Sequence, residues 1–123
     1  MVAAGLPERR RDHAQAAAEM ALEMLAAVAA VSRRLGLDLA IRIGMESGTA
    51  IAGVIGRHRF IYDLWGDTVN TASRLESHGL PGRIQVGETG YRLLSDRYAF
   101  EDRGDIEVKG KGRLHAYLLV GRR

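Results

Sequence analysis

The chain has 123 residues, of which 46% are hydrophobic and 27% charged, and it contains no cysteine. This length and balance describe one folded domain of mixed α/β class, and they exclude two full-sized domains, disulfides, zinc–thiolate sites and cysteine nucleophiles. The net charge of +3 arises from 18 basic and 15 acidic residues. This excess is too small and too mixed with acids to indicate a nucleic-acid partner.

An alanine-rich stretch over 14–31 carries Glu19 and Glu23. It therefore lacks the roughly 18 uncharged apolar residues that a membrane span needs. The same acids interrupt the apolar region of a signal peptide. We expect no membrane segment, and a cytoplasmic protein or the cytoplasmic part of a membrane-anchored one.

The first predicted helix runs from an N-cap at Asp12 to Leu35, and Gly36 ends it. Large apolar residues recur along it at helical spacing, which predicts that they pack in the core. These residues are Met20, Met24, Val28, Val31 and Leu35.

Alternation and turn residues predict the remaining elements. The predicted strands and extended segments lie over 39–43, 51–55, 60–62, 83–86, 98–101, 106–108 and 114–120. Two more helices are predicted, one capped by Asp67 and ending near Ser77, the other over 89–95. This order predicts a mainly antiparallel sheet with the helices packed on one of its faces.

The helix from Asp67 carries the first candidate site. Asn70 and Arg74 lie four residues apart and share one face. An amide and a guanidinium presented together suit a nucleotide, because they bind sugar and phosphate oxygens. A solvated polar face has the same spacing, so the pattern alone leaves both interpretations open.

Two further positions extend this candidate site. Asp63 lies where an extended run ends, a common place for ligands in α/β proteins. Its carboxylate could accept a hydrogen bond from an exocyclic amine or cap a turn. Lys109 and Lys111 alternate with glycines and offer charge to phosphates, although an ordinary basic hairpin turn has the same composition. The four histidines show no metal-ligand spacing.

Four segments together resemble the C-terminal two-thirds of a class III nucleotide cyclase catalytic domain. Their sequences are similar to those of bacterial adenylate cyclases. The segments are IRIGMESG over 41–48, AGVIG over 52–56, YDLWGDTVNTASR over 62–74 and VKGKG over 108–112. The resemblance covers nearly the whole chain as a single domain, 1–123, and the spacing within 63–74 is its most specific part.

The resemblance implies a ferredoxin-like fold and an active site shared across a homodimer or with a partner cyclase domain. It implies that Asp63 binds the adenine amino group, that Asn70 orients the ribose, and that Arg74 stabilises charge on the transferred phosphoryl group. Lys109 or Lys111 would contact the terminal phosphates. The implied reaction converts ATP to 3′,5′-cyclic AMP and pyrophosphate, assisted by Mg²⁺ or Mn²⁺.

One departure from the family is large. The family holds its metals with two aspartates on its first strands, and residues 1–7 of this chain resemble the segment that follows the second of them. No metal ligand is identified here. We therefore expect an adenylate cyclase domain that is N-terminally truncated, inactive alone, and prone to self-association through an exposed sheet edge. The alternative is a non-catalytic nucleotide-binding or dimerisation module of a signalling protein.

Overall fold

The computed structural model of the protein describes residues 2, 4, 12–48, 51–55, 61–108 and 112–123, and for 51–55 and 61–65 it describes the backbone. Three helices and six strands lie within these ranges. In chain order they are α1 (His13–Leu35), β1 (Ile43–Met45), β2 (Ile51–Ile55), β3 (Ile61–Trp65), α2 (Asp67–Ser77), β4 (Ile84–Val86), α3 (Glu88–Leu94), β5 (Tyr98–Val108) and β6 (Gly112–Arg122).

Four strands form one sheet in the order β1-β4-β6-β5, and β2 and β3 pair as a separate antiparallel hairpin. Within the larger sheet β1 runs parallel to β4, whereas β4–β6 and β5–β6 are antiparallel. Helices pack on this mainly antiparallel sheet, which confirms the predicted α/β fold class. Successive side chains of a strand point to opposite faces of the sheet, so each strand can contact helices on both faces.

The helices lie on both faces of the sheet, so their predicted segregation onto one face is wrong. Ile84 and Val86 point into a core cluster that contains residues of α1 and α3. Gln85, between them, is also buried but hydrogen-bonds to the backbone of α2 on the opposite face. The short strand β4 is therefore covered on both sides, by α1 and α3 on one face and by α2 on the other.

Helix α1 has the predicted bounds but buries a different stripe. Met20, Met24 and Leu35 are 46%, 42% and 56% exposed, so their predicted place in the core is wrong. The face that packs on the sheet instead carries small residues that permit close approach of the helix. These are Ala14, Ala18 and Ala21, with Leu22 and Leu25 beside them.

Polar contacts also hold α1 to the sheet. The Glu19 carboxylate accepts hydrogen bonds from the Arg122 guanidinium and, at 2.8 Å, from the Tyr98 hydroxyl. These bonds, Arg122 first, lower the pKa of Glu19 below its ordinary value. By length and hydropathy α1 is a candidate membrane span, and in this structure it packs on the sheet through this pairing and the alanine stripe.

Several predicted strand bounds shift. The strand predicted over 39–43 is observed at Ile43–Met45, and the two segments predicted before and after residue 103 form one strand, β5. The predicted helix at 89–95 begins one residue earlier and ends at Leu94. Helix α2 has its predicted bounds, although Gly66 rather than Asp67 is its N-cap residue. The Lys109–Lys111 turn lies outside the described residues.

Candidate functional site

The candidate site is built around the step from β3 into α2. Asp63 occupies the middle of β3, in register with Gly53 of β2, so its predicted place at the end of an extended run is wrong: the strand continues to Trp65. One residue, Gly66, separates β3 from α2, and its φ of 130° is a conformation that glycine adopts most readily. This tight connection brings a strand carrying a carboxylate directly into a helix carrying an amide and a guanidinium.

Asn70 and Arg74 lie on successive turns of α2, as the spacing predicts. The Asn70 side chain is exposed, and its backbone N–H donates to the Gly66 carbonyl at 3.1 Å in the first turn. Thr71 and Leu75, one residue further along in each turn, are buried. The helix therefore packs by one side and leaves the amide available to a ligand.

Arg74 is half-buried, and its Nε–H has no hydrogen-bond partner within the part of the chain that the structure describes. A buried donor left unpaired costs about 1–3 kcal/mol, and more when it belongs to a charged group. An anion that accepted this N–H would remove that cost and gain a charge-assisted bond. The guanidinium is therefore suited to a phosphate.

Close backbone packing fixes where α2 lies. A Cβ atom placed on Gly44 of β1 would lie 2.2 Å from the Glu76 nitrogen and 2.4 Å from the Ala72 oxygen. The helix thus rests directly on the strand, at a distance that only glycine permits. The IRIGM segment of the cyclase-like pattern therefore contains the strand that supports the helix carrying Asn70 and Arg74.

No sequence pattern assigns a role to Glu46, and the structure shows that it is a capping residue. Its carboxylate accepts hydrogen bonds from the backbone N–H groups of Gly90, at 2.9 Å, and Ser47, at 3.0 Å. A side chain at Gly87 would collide with this carboxylate. Glu46 thus occupies the N-terminus of α3, where negative charge is stabilised, and acts in the structure of the domain.

Of the predicted site residues, the described side chains bring together Asn70 and Arg74. Asp63 is placed by its strand alone, and Lys109 and Lys111 lie outside the described residues. Their roles stay predictions. Among the residues described, no group of three or more acidic or histidine side chains could hold a metal ion. These residues do not fit a two-metal site, so no step is assigned to a metal here.

Helix α2 thus presents an amide and a guanidinium whose Nε–H has no partner among the described residues. Similarity to known proteins identifies the family. The model of the adenylate and guanylate cyclase catalytic domain matches residues 1–121, and the chain belongs to that family.

Three similar proteins show the range of the family. An adenylate cyclase of Mycobacterium tuberculosis is 44% identical over 123 residues, which are 100% of this chain and 28% of that protein. The guanylate cyclase domain of RhGC from Catenaria anguillulae superposes with a TM-score of 0.90 at 36% identity, over 98% of this chain and 66% of that one. The adenylyl cyclase CyaB from P. aeruginosa gives 0.90 at 30% identity, with 98% and 66% covered. The chain thus spans just under two-thirds of those cyclase domains and about a quarter of the mycobacterial protein.

Proposed function

We propose that this chain acts in the conversion of ATP to 3′,5′-cyclic AMP and pyrophosphate. The observation that carries the proposal is the buried Arg74 Nε–H, which has no partner among the side chains and backbone atoms that the structure describes, one turn after the exposed Asn70 on α2. Membership of the cyclase family supports a nucleoside triphosphate as the ligand of that pair.

In this reaction the 3′-hydroxyl oxygen attacks the α-phosphorus in line with the departing group. The new O3′–P bond forms as the bond to the β-phosphate oxygen breaks, pyrophosphate leaves, and the hydroxyl proton passes to solvent. Arg74 binds the oxygens of the transferred phosphoryl group, where negative charge builds up. Asn70, one turn earlier, hydrogen-bonds to the ribose and holds its hydroxyl in position.

The preference for ATP over GTP rests on Asp63. Adenine presents an amino group where guanine presents a carbonyl oxygen, and a carboxylate accepts a hydrogen bond from the first and repels the second. Similarity leaves this choice open, because adenylate and guanylate cyclases both resemble the chain. The assignment of ATP therefore depends on the residue at position 63.

Lys109 or Lys111 completes the proposed site by binding the terminal phosphates. The proposed assembly is a homodimer or a pair with another cyclase domain, with the site at the boundary. A cytoplasmic location is part of the same proposal.

Binding and turnover are measured separately to test the function. Equilibrium dialysis gives the affinity for ATP and GTP, and chromatography of the same Mn²⁺-containing samples gives any cyclic nucleotide. Arg74→Ala is compared with Arg92→Ala, because Arg92 is an exposed arginine of α3 paired with Glu88. We expect at least about a tenfold loss of ATP affinity in the first variant and no change in the second.

Asp63→Ala should weaken ATP binding, because the hydrogen bond to the amino group is lost, and strengthen GTP binding, because the repulsion of the guanine carbonyl is removed. Binding of ATP without any product, even when an intact cyclase domain is added, would assign the chain to a nucleotide-binding module instead. Absence of ATP binding, or equal behaviour of the two arginine variants, would refute the proposal.

A further inference from the structure

A buried glutamine lies directly beneath the helix that carries the candidate site. Gln85 is fully buried in the middle of β4. Its side-chain amide donates a hydrogen bond to the Leu75 carbonyl of α2 at 2.9 Å. Its own carbonyl oxygen accepts a hydrogen bond from the Arg103 guanidinium. A buried amide is retained at low cost when both of its ends are paired in this way.

These bonds add to the backbone hydrogen bonds at the C-terminal end of α2. The last carbonyls of a helix have no partner within it. Here the Arg74 carbonyl accepts from the His78 N–H at 2.9 Å, and the Glu76 carbonyl from the Gly79 N–H at 3.0 Å. The Leu75 carbonyl, between them, is bound by Gln85 instead. One side chain of the sheet therefore replaces a backbone donor in the turn that includes Arg74.

Arg103 extends the same support. It lies on β5 between Asp102 and Gly104, where the register with β6 shifts and Arg103 has no partner residue across the ladder. Its guanidinium also donates to the His78 carbonyl, at 2.7 Å, immediately after α2. Bulges commonly redirect a side chain. Here the extra residue contacts both Gln85 and the residue that ends the helix.

We propose that Gln85 is a positioning residue that, braced by Arg103, holds the last turn of α2 so that Arg74 meets the nucleotide phosphates. The proposal rests on the proposed function for the identity of the ligand. Its geometric part, that Gln85 sets the position of Arg74, stands on the hydrogen bonds alone. Leu75 is adjacent to Arg74, so loss of the Gln85 bond frees the peptide that follows the arginine.

Three variants of the full chain test this role. Gln85→Met preserves volume and removes both bonds, whereas Arg103→Met leaves the bond from Gln85 to Leu75 in place. Ile84→Val is the matched control, because Ile84 is the neighbouring, equally buried residue on the other face of β4. A small loss of core packing is common to the control and the test variants.

Two measurements separate positioning from general stability. The first is the Arg74 Nε–Hε cross-peak in the ¹⁵N NMR spectrum, assigned by its absence in Arg74→Lys. The second is affinity for ATP against adenosine, which lacks phosphates. We expect Gln85→Met to move the cross-peak and to weaken ATP about fivefold with adenosine unchanged. Arg103→Met should have a smaller effect of the same kind, and Ile84→Val none.

Other outcomes overturn the proposal. It fails if the cross-peak and the ATP affinity of Gln85→Met match those of Ile84→Val, or if adenosine affinity falls as much as ATP affinity. If Gln85→Met does not fold, the same comparison is made with Arg103→Met. If the unaltered chain binds no ATP, the proposed function is refuted, and the cross-peak alone decides whether Gln85 positions Arg74.

Discussion

Gly44→Ala is the substitution for which the structure supports the sharpest expectation. The new Cβ atom would lie 2.2 Å from the Glu76 nitrogen, 2.4 Å from the Ala72 oxygen and 2.8 Å from the Leu75 carbonyl carbon. All three are backbone atoms of α2, so no side chain can rotate away. To restore an ordinary contact of 3.4 Å, helix and strand must separate by about 1 Å.

The cost follows from that separation. Overpacking a folded interior by one methyl group costs about 1–3 kcal/mol, and the upper end applies where rigid backbone is the neighbour. We therefore expect Gly44→Ala to lower the free energy of unfolding by about 3 kcal/mol. For a chain of this size that corresponds to a fall in Tm of about 10 °C. Since α2 carries Asn70 and Arg74, ATP affinity should fall as well.

Urea unfolding followed by circular dichroism measures the stability change, and equilibrium dialysis measures the affinity. Gly121→Ala is the matched control: Gly121 also lies in a strand, and an added Cβ there meets no atom within 4 Å. We expect the control to unfold within about 0.5 kcal/mol of the original chain. Equal urea midpoints for the two variants would show that α2 does not rest on β1 as described.

Two further substitutions test the electrostatics of the fold. Glu46→Ala should lower the free energy of unfolding in urea by about 1–2 kcal/mol, because it removes the carboxylate that accepts the Gly90 N–H. Glu46→Gln keeps an acceptor and should lower it less. Equal losses in the two variants would contradict the capping role. His115 donates from Nδ1 to Asp105 at 2.8 Å and has Asp102 2.7 Å from Nε2, and the Asp105 bond raises its pKa above 6.5. The protonated His115 therefore stabilises the fold fully below pH 6.5, and this stabilisation is lost as pH rises through the raised pKa. In His115→Gln the free energy of unfolding should fall less over that pH range. Parallel pH profiles of the variant and the original chain would refute the pairing.

Local sequence pattern predicts α2 well because its signals are local. A glycine precedes it, apolar residues recur at helical spacing, and the polar pair falls on the other side. Both ends and both faces follow from these features. The shared helical face of Asn70 and Arg74 is therefore predictable from sequence. That the Arg74 Nε–H has no hydrogen-bond partner among the described residues can be seen only in the structure.

The errors in α1 and β1 have physical causes. Residue size favours the methionine stripe of α1 as the buried one, but the alanine stripe allows the helix axis to approach the sheet more closely. For β1, the alternation over 39–43 shows only that these residues favour an extended conformation. The observed bounds depend on the partner strand: Ile43 pairs with Ile84 and Met45 with Val86 in parallel register, and β4 is only three residues long.

The contacts that position the candidate site join residues distant in sequence, which is why no motif reveals them. Gly44 meets α2 through a separation of about thirty residues, and Gln85 meets it from the strand that follows. One contact is steric and limits how closely α2 approaches β1. The other is a hydrogen bond and draws its last turn toward β4. Together they fix the distance of α2 from the sheet and its rotation about its own axis. The Arg74 guanidinium can bind a phosphate only if the helix position is fixed to within hydrogen-bonding distance. This requirement accounts for the buried amide of Gln85 in β4, a strand that is otherwise apolar.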